Sequence, residues 1–124
     1  MREFRLVLPH LPESDLFPNK LRTIHWSTRA RVEREARMEA YLETLCIRPK
    51  DWCTLDHAEV SYLFLVSDRR VRDMEALLIA CKPYIDGMVD AGIMLSDDCW
   101  HLRIAGADVN EGVKQTIITI REVK

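Results

Sequence analysis

Between Arg69 and Asp98 the sequence gathers side chains that a phosphate and a hard cation would both need. Asp73 and Glu75 stand close together, and Asp97-Asp98 follows after an intervening helical stretch. Carboxylate oxygens are the ligands that Mg²⁺ or Mn²⁺ prefers, and a few of them with open water positions typify sites of phosphoryl transfer. Such an ion polarises the scissile phosphate, makes hydroxide from bound water and stabilises the leaving oxygen. Inside a helix Asp73 and Glu75 would diverge by about 200°, whereas at a strand end or helix entry both can face one site. A local reading stands beside this one. An Asp at a helix N-cap and a Glu in the first turn each offset the helix dipole by roughly 0.3–1 kcal/mol, and Asp97-Asp98 suits a solvated turn.

The basic residues sharpen the pattern. Arg69, Arg70 and Arg72 directly precede the acids, and guanidinium forks suit phosphate oxygens, although a loop at a strand end often carries such charges for solubility. Lys82 is the only Lys or Arg between Arg72 and Arg103. Facing the carboxylates, it would stabilise charge on the phosphorane or the leaving group. As a helical i,i+4 partner of Asp86 it would contribute only about 0.2–0.5 kcal/mol. Farther upstream, Arg29, Arg31 and Arg34 load the first half of a helix whose later half carries Glu39 and Glu43. That order opposes the helix dipole, and a phosphate partner would compensate it. The pairs Arg29–Glu33 and Arg31–Glu35 offset part of the conflict. Nucleic-acid contact is therefore expected at Arg29, Arg31, Arg34, Arg69, Arg70 and Arg72. His25-Trp26, just ahead of the helix, either stacks on a base or packs as a hydrophobic staple, and packing is expected for Trp26. Trp52 and Trp100 are expected in the core or at its edge.

These groups need a scaffold. Phe4–Leu8 alternates as a short strand ended by Pro9 and Pro12. The proline-rich stretch to His25 reads as a long loop. Ser27 or Thr28 is the predicted N-cap of a helix to about Cys46, with an apolar stripe of Val32, Ala36, Ala40, Met38, Leu42 and Leu45. His57–Val66 reads as a buried strand. Asp73 opens a helical region to about Ala91, broken near Lys82 by Pro83 and stopped by Gly92. Cys99–Ala105 and Val113–Val123 read as strands joined through Asp108–Gly112. The order is β-α-β-α-β-β, an α+β single domain over residues 1–124 with helices packed on a small mixed sheet.

The bulk numbers bound the reading. With 124 residues, 48% hydrophobic, the chain can bury one core. Its net charge of −2 excludes a strongly basic nucleic-acid binder, so any such contact must come from local patches. No apolar run approaches the roughly 20 residues of a membrane span, and Met1-Arg2-Glu3-Phe4-Arg5 opens no signal-peptide core. A soluble cytoplasmic protein is expected. Cys46, Cys53, Cys81 and Cys99 show no C-x-x-C pair and are expected as reduced, mostly buried thiols.

Taken in order, Arg69-Arg70-Val71-Arg72-Asp73-Met74-Glu75, Lys82-Pro83-Tyr84-Ile85-Asp86-Gly87-Met88, Asp90-Ala91-Gly92-Ile93 and Asp97-Asp98 resemble the RusA family of crossover junction endodeoxyribonucleases, the Holliday junction resolvases. Upstream, Asn19, His25-Trp26 and Arg29-Ala30-Arg31 are similar to that family's N-terminal segment, so the likeness runs from Pro9 to about Arg103. It implies a small homodimeric, Mg²⁺-dependent nuclease, bacterial or prophage-encoded and cytoplasmic, that binds four-way DNA junctions and nicks two strands symmetrically. By position, Asp73, Glu75 and Asp98 would be metal-binding carboxylates, Asp97 would belong to the same cluster or support it, and Lys82 would be the catalytic-site lysine. The chain departs from the family at Glu75, where an aspartate is usual, and at Ala76, where an asparagine is usual. Glu75 sets its carboxylate one methylene farther out, and Ala76 removes a hydrogen bond that would orient a ligand. A RusA-like protein that binds branched DNA but cleaves weakly or not at all is the alternative.

Overall fold

The computed structural model describes residues 2–124. Strand β1 (Glu3–Leu8) leads through a 3₁₀ turn at Ser14–Leu16 and a short helix α1 (Pro18–Leu21) to the long helix α2 (Trp26–Ile47). Strand β2 (Ala58–Val66), helices α3 (Met74–Ala80) and α4 (Lys82–Asp90), and strands β3 (Leu102–Glu111) and β4 (Gln115–Glu122) complete the chain. This is the expected α+β order. The stretch read as one long loop also holds α1, and the second helical region is split at Cys81, beside Pro83.

One four-stranded mixed sheet runs in the order β1-β4-β2-β3. β4 pairs antiparallel with β1 and β2, whereas β3 runs parallel to β2 after the α3–α4 crossover. One sheet face buries Phe4, Leu6 and Leu8 of β1 with Val60, Phe64, Ile118 and Ile120 of its neighbours. Period-two alternation in β1, β2 and β4 produces that face. The helices cover it.

Helix α2 contributes a narrow stripe of Val32, Ala36, Ala40 and Thr44. These residues are small, so α4 approaches closely. A Cβ added at Gly87 would lie 2.3 Å from the Arg37 carbonyl oxygen and 2.9 Å from Ala40 Cβ. Glycine is needed there for space, whereas Gly92, at φ 79°, is needed for the left-handed turn that ends the helical region.

Several local expectations need correction. Met38, Leu42 and Leu45 are exposed, because the α2 stripe follows i,i+4 spacing and leaves their flank outside. His25, not Ser27 or Thr28, is the N-cap of α2: its ring nitrogen accepts from the Ser27 N–H at 3.2 Å. β3 starts later and runs farther than expected, through Asp108 to Glu111, since the parallel ladder with β2 carries polar residues along an edge. The cysteines are free, but only Cys81 is buried, where desolvation pushes its thiol up to about 12. Among the described residues, no helix is long and apolar enough to cross a membrane.

The open sheet face carries a charge ladder. Register aligns Glu3 with Arg121, Arg121 with Glu59, and Glu59 with Arg103. Their ion pairs measure 2.7, 3.7 and 3.0 Å in that order.

Candidate functional site

Asp73 is the N-cap of α3. One of its carboxylate oxygens accepts from the Ala76 N–H at 3.3 Å, and the other is not used by the helix. Glu75 follows in the first turn, exposed. Both line a cleft of about 580 Å³ together with Asn19, Arg70 and Arg72. The helix entry therefore does what a helix interior would not, and places the neighbouring acids on one site.

Ile79, half exposed, forms a wall of that cleft and of two others. A groove of about 550 Å³ holds Lys82 and Asp97 among Tyr62, Ile85, Leu102 and Ile104. A smaller cleft of about 280 Å³ holds Lys82 and Asp86 beside Arg29, Arg34 and Arg37 of α2. Around Ile79, then, meet the cap of α3, the start of α4 and the first half of α2. Arg31 points elsewhere, into a cleft with His10, Glu35 and Glu39.

Lys82 stands at the first turn of α4, and its Nζ lies 2.5 Å from Asp86 Oδ1 and 2.5 Å from Asp97 Oδ2. Partial burial opposes its charge, but hydrogen bonds to Asp86 and Asp97 outweigh that, so its pKa is raised. Lys82 is a cation held in place. The helix-pair reading with Asp86 is correct as far as it goes; Asp97 is the partner that spacing alone does not reveal.

Asp98 turns the other way. Its Oδ1 accepts from His101 Nδ1 at 2.7 Å and from the Trp100 N–H at 2.9 Å, and its Oδ2 from Ser96 Oγ at 3.0 Å. The hydrogen bond from His101, followed by that from the Trp100 N–H, holds its carboxyl below the ordinary range. Beyond His101 lie Asp56 and the stacked ring of His57. No spacing signal links Asp56 or His57 to Asp98, because a different loop delivers them.

The arginines divide by what already engages them. Arg72 donates to the Asp68 carboxylate at 3.1 Å and to the Arg70 carbonyl at 2.9 Å, with only 12% of its side chain exposed. It braces the loop. Arg69 pairs with Glu111 at 2.9 Å, Arg29 with Glu33 at 2.8 Å and Arg31 with Glu35 at 3.5 Å. Among the described residues, the guanidinium groups of Arg34 and Arg70 have no acidic partner. Trp26 is 75% exposed and lies against His25, with ring centroids 5.4 Å apart, so it does not pack as expected. Trp100 is 80% exposed, whereas Trp52 packs on Phe4 and donates to the Ile93 carbonyl.

The donor set has the right chemistry for a hard cation, since it consists of carboxylates. The geometry does not assemble it. Among the described residues no three His, Cys, Asp or Glu side chains converge closely enough to hold a metal ion. Asp97 is engaged by Lys82 and Asp98 by His101, while Asp73 and Glu75 lie across Ile79. Asp73, Glu75, Asp97 and Asp98, as they stand, do not fit a shared Mg²⁺ or Mn²⁺. The sequence matches no protein-family model, and no curated protein matches it significantly.

Proposed function

We propose that this chain acts on branched DNA as a RusA-like endonuclease, resolving four-way junctions by paired nicks from two copies of the site. The observation that supports this most is the meeting of three clefts at Ile79, one lined by Arg70, Asp73 and Glu75, one by Arg34 and Lys82, and one by Lys82 and Asp97. Arg34 and Arg70 would take backbone phosphates. Lys82, fixed between Asp86 and Asp97, would offset the charge that develops on a phosphate oxygen during strand scission. Two strands nicked symmetrically call for two sites related by a two-fold axis, hence a homodimer. A divalent cation belongs to this reading through the resemblance, and the protein would be cytoplasmic in a bacterium or prophage host.

A second reading is favoured by a specific observation. The dispersal of the carboxylates, with Glu75 and Ala76 where the family has aspartate and asparagine, suits a protein that binds branched DNA and cleaves it poorly.

Cleavage of a labelled four-way junction with Mg²⁺, Mn²⁺ or EDTA separates the two. Symmetric nicks that need the cation and disappear in Asp73→Asn support the nuclease. Asparagine caps a helix about as well as aspartate, so the variant keeps its fold and its junction binding. Binding without products in either metal supports the second reading. Neither survives if the protein does not prefer the junction to duplex DNA.

A further inference from the structure

Between two buried anchors, Leu8 and Leu16, the chain forms a wall shared by two clefts. Leu11, Pro12 and Ser14 line the cleft of Asp73 and Glu75 on one side and a cleft of about 610 Å³ against α2 on the other. Bonds from three elements hold the wall. The His10 carbonyl oxygen accepts from Thr116 Oγ1 of β4 at 2.8 Å, and the Glu13 N–H donates to the Tyr84 hydroxyl of α4 at 3.3 Å. The link to α2 is the ring of His10, whose Nε2 lies 2.6 Å from Glu39 Oε2. The other ring nitrogen, Nδ1, lies 2.6 Å from the carbonyl oxygen of Leu11.

A carbonyl oxygen and a carboxylate oxygen only accept, so both ring nitrogens must carry hydrogen for this arrangement to hold. Neutral imidazole has one N–H. On losing its proton the ring turns a lone pair toward one of the two oxygens, and either the link to α2 or the contact with Leu11 must break. In both cases the wall loses a support.

The surroundings favour the charged ring. Facing it are Arg31, Glu35 and Glu39 of α2, Glu13 and Asp15 of the loop, and Tyr84 of α4, whose phenol burial pushes up to about 12. Arg31 pairs with Glu35 at 3.5 Å and Asp15 with Lys20 at 3.9 Å, so the negative charges acting on His10 are those of Glu39 and Glu13. The His10 side chain is 39% exposed, which lets it exchange protons with solvent.

We infer that His10 is a proton-operated latch on the candidate site: the charged ring pins the wall of the Asp73–Glu75 cleft to α2, and loss of its proton frees residues 9–15. Leu16 stays buried, so Asn19, Asp73 and Glu75 keep their places while the wall beside them loosens. As regulation of a DNA site, the latch rests on the function proposed above. As a movement of the loop it does not, and its test contains neither DNA nor metal, so failure of the latch and failure of cleavage are read separately.

NMR titration across neutrality follows the His10 ring and the amide groups of Leu11, Glu13 and Ser14. The ring midpoint is expected above 6.5. The three amides should titrate with it, and their heteronuclear NOE should fall on the alkaline side, marking larger ps–ns motion. The Ser27 N–H, bonded to His25, is the internal control and follows His25 instead. In His10→Gln the loop curves should vanish while the Ser27 curve remains. Glu39→Gln keeps an acceptor but removes its charge, and should move the ring and loop curves to lower pH together. A ring midpoint at or below 6.5, loop amides that do not follow the ring, an unchanged NOE, loop curves that survive in His10→Gln, or a Glu39→Gln shift in the ring alone would each overturn the inference.

Discussion

Lys82 Nζ and Asp97 Oδ2 lie 2.5 Å apart, joining the start of α4 to the loop beyond its end. The pair closes α4 into a clasp with its cation on the groove side of Ile79.

Removing that cation is expected to separate chemistry from stability. An exposed ion pair contributes about 0–1 kcal/mol, so Lys82→Met leaves the melting temperature nearly unchanged. Loss of a preorganised group facing developing charge costs about 10²–10³ in rate. Single-turnover nicking of a junction, with binding measured in parallel, reads both. Unaltered nicking would remove Lys82 from the chemistry.

The arginines are expected to differ by their existing partners. Arg34→Ala and Arg70→Ala each remove a guanidinium without an acidic partner, and each should reduce the slope of log affinity against log salt by about 1. Arg72→Ala instead loosens the loop that its hydrogen bonds to Asp68 and Arg70 brace. It should raise protease cleavage around Val71, which is 96% exposed. Salt titrations of junction binding and limited proteolysis provide the comparison.

Gly87→Ala is expected to destabilise the fold. In an open helix this change gains about 1 kcal/mol. Here the new Cβ meets the Arg37 carbonyl at 2.3 Å and Tyr41 N at 2.9 Å, both backbone atoms of α2. Overpacking of that kind costs about 1–3 kcal/mol or more, so the helices must part. Urea unfolding should show a lower midpoint; a higher one would mean that α2 and α4 separate freely.

His10 predicts a pH dependence. Its ring nitrogens lie 2.6 Å from the Leu11 carbonyl oxygen and 2.6 Å from Glu39 Oε2, so the charged ring can donate to both. Burial lowers its pKa, but the hydrogen bonds to Leu11 and Glu39 and the charges of Glu39 and Glu13 more than reverse that, and the net shift is upward. A raised folded-state pKa adds stability that is full below the unfolded value of 6.5 and fades as pH rises through the folded value. The stability difference between wild type and His10→Gln, followed by urea unfolding, should therefore shrink above neutrality. A difference that grows with pH would contradict the charged ring.

Much of the scaffold was legible from local pattern. Alternation located β1, a continuous apolar run located β2 and β-branched residues located β4, while Pro83 marked the break near Cys81, because these signals act on the chain where they occur. The edge strand β3 was harder. With mixed composition and only one neighbouring strand, Asp108 to Glu111 read as a connection. Met38, Leu42 and Leu45 look like core in sequence, and only the narrowness of the Ala36–Ala40 contact with Gly87 leaves them outside. At the candidate site, Asp73 and Lys82 could be named from their order along the chain. The choice of Asp97 for Lys82 and His101 for Asp98 depends on how the loop after α4 turns, which neighbouring residue types do not encode.

The ladder Glu3–Arg121–Glu59–Arg103 has a consequence for how β4 finds its place. Apolar alternation rejects a slip of one residue, which would turn Arg121 toward the core and strip it of water at a cost of several kcal/mol. It is blind to a slip of two, which keeps every face. In one direction that slip sets Arg121 opposite Arg5 and Ser61 in place of Glu3 and Glu59, exchanging attraction for repulsion. The charges thus read the frame that the hydrophobic pattern leaves ambiguous.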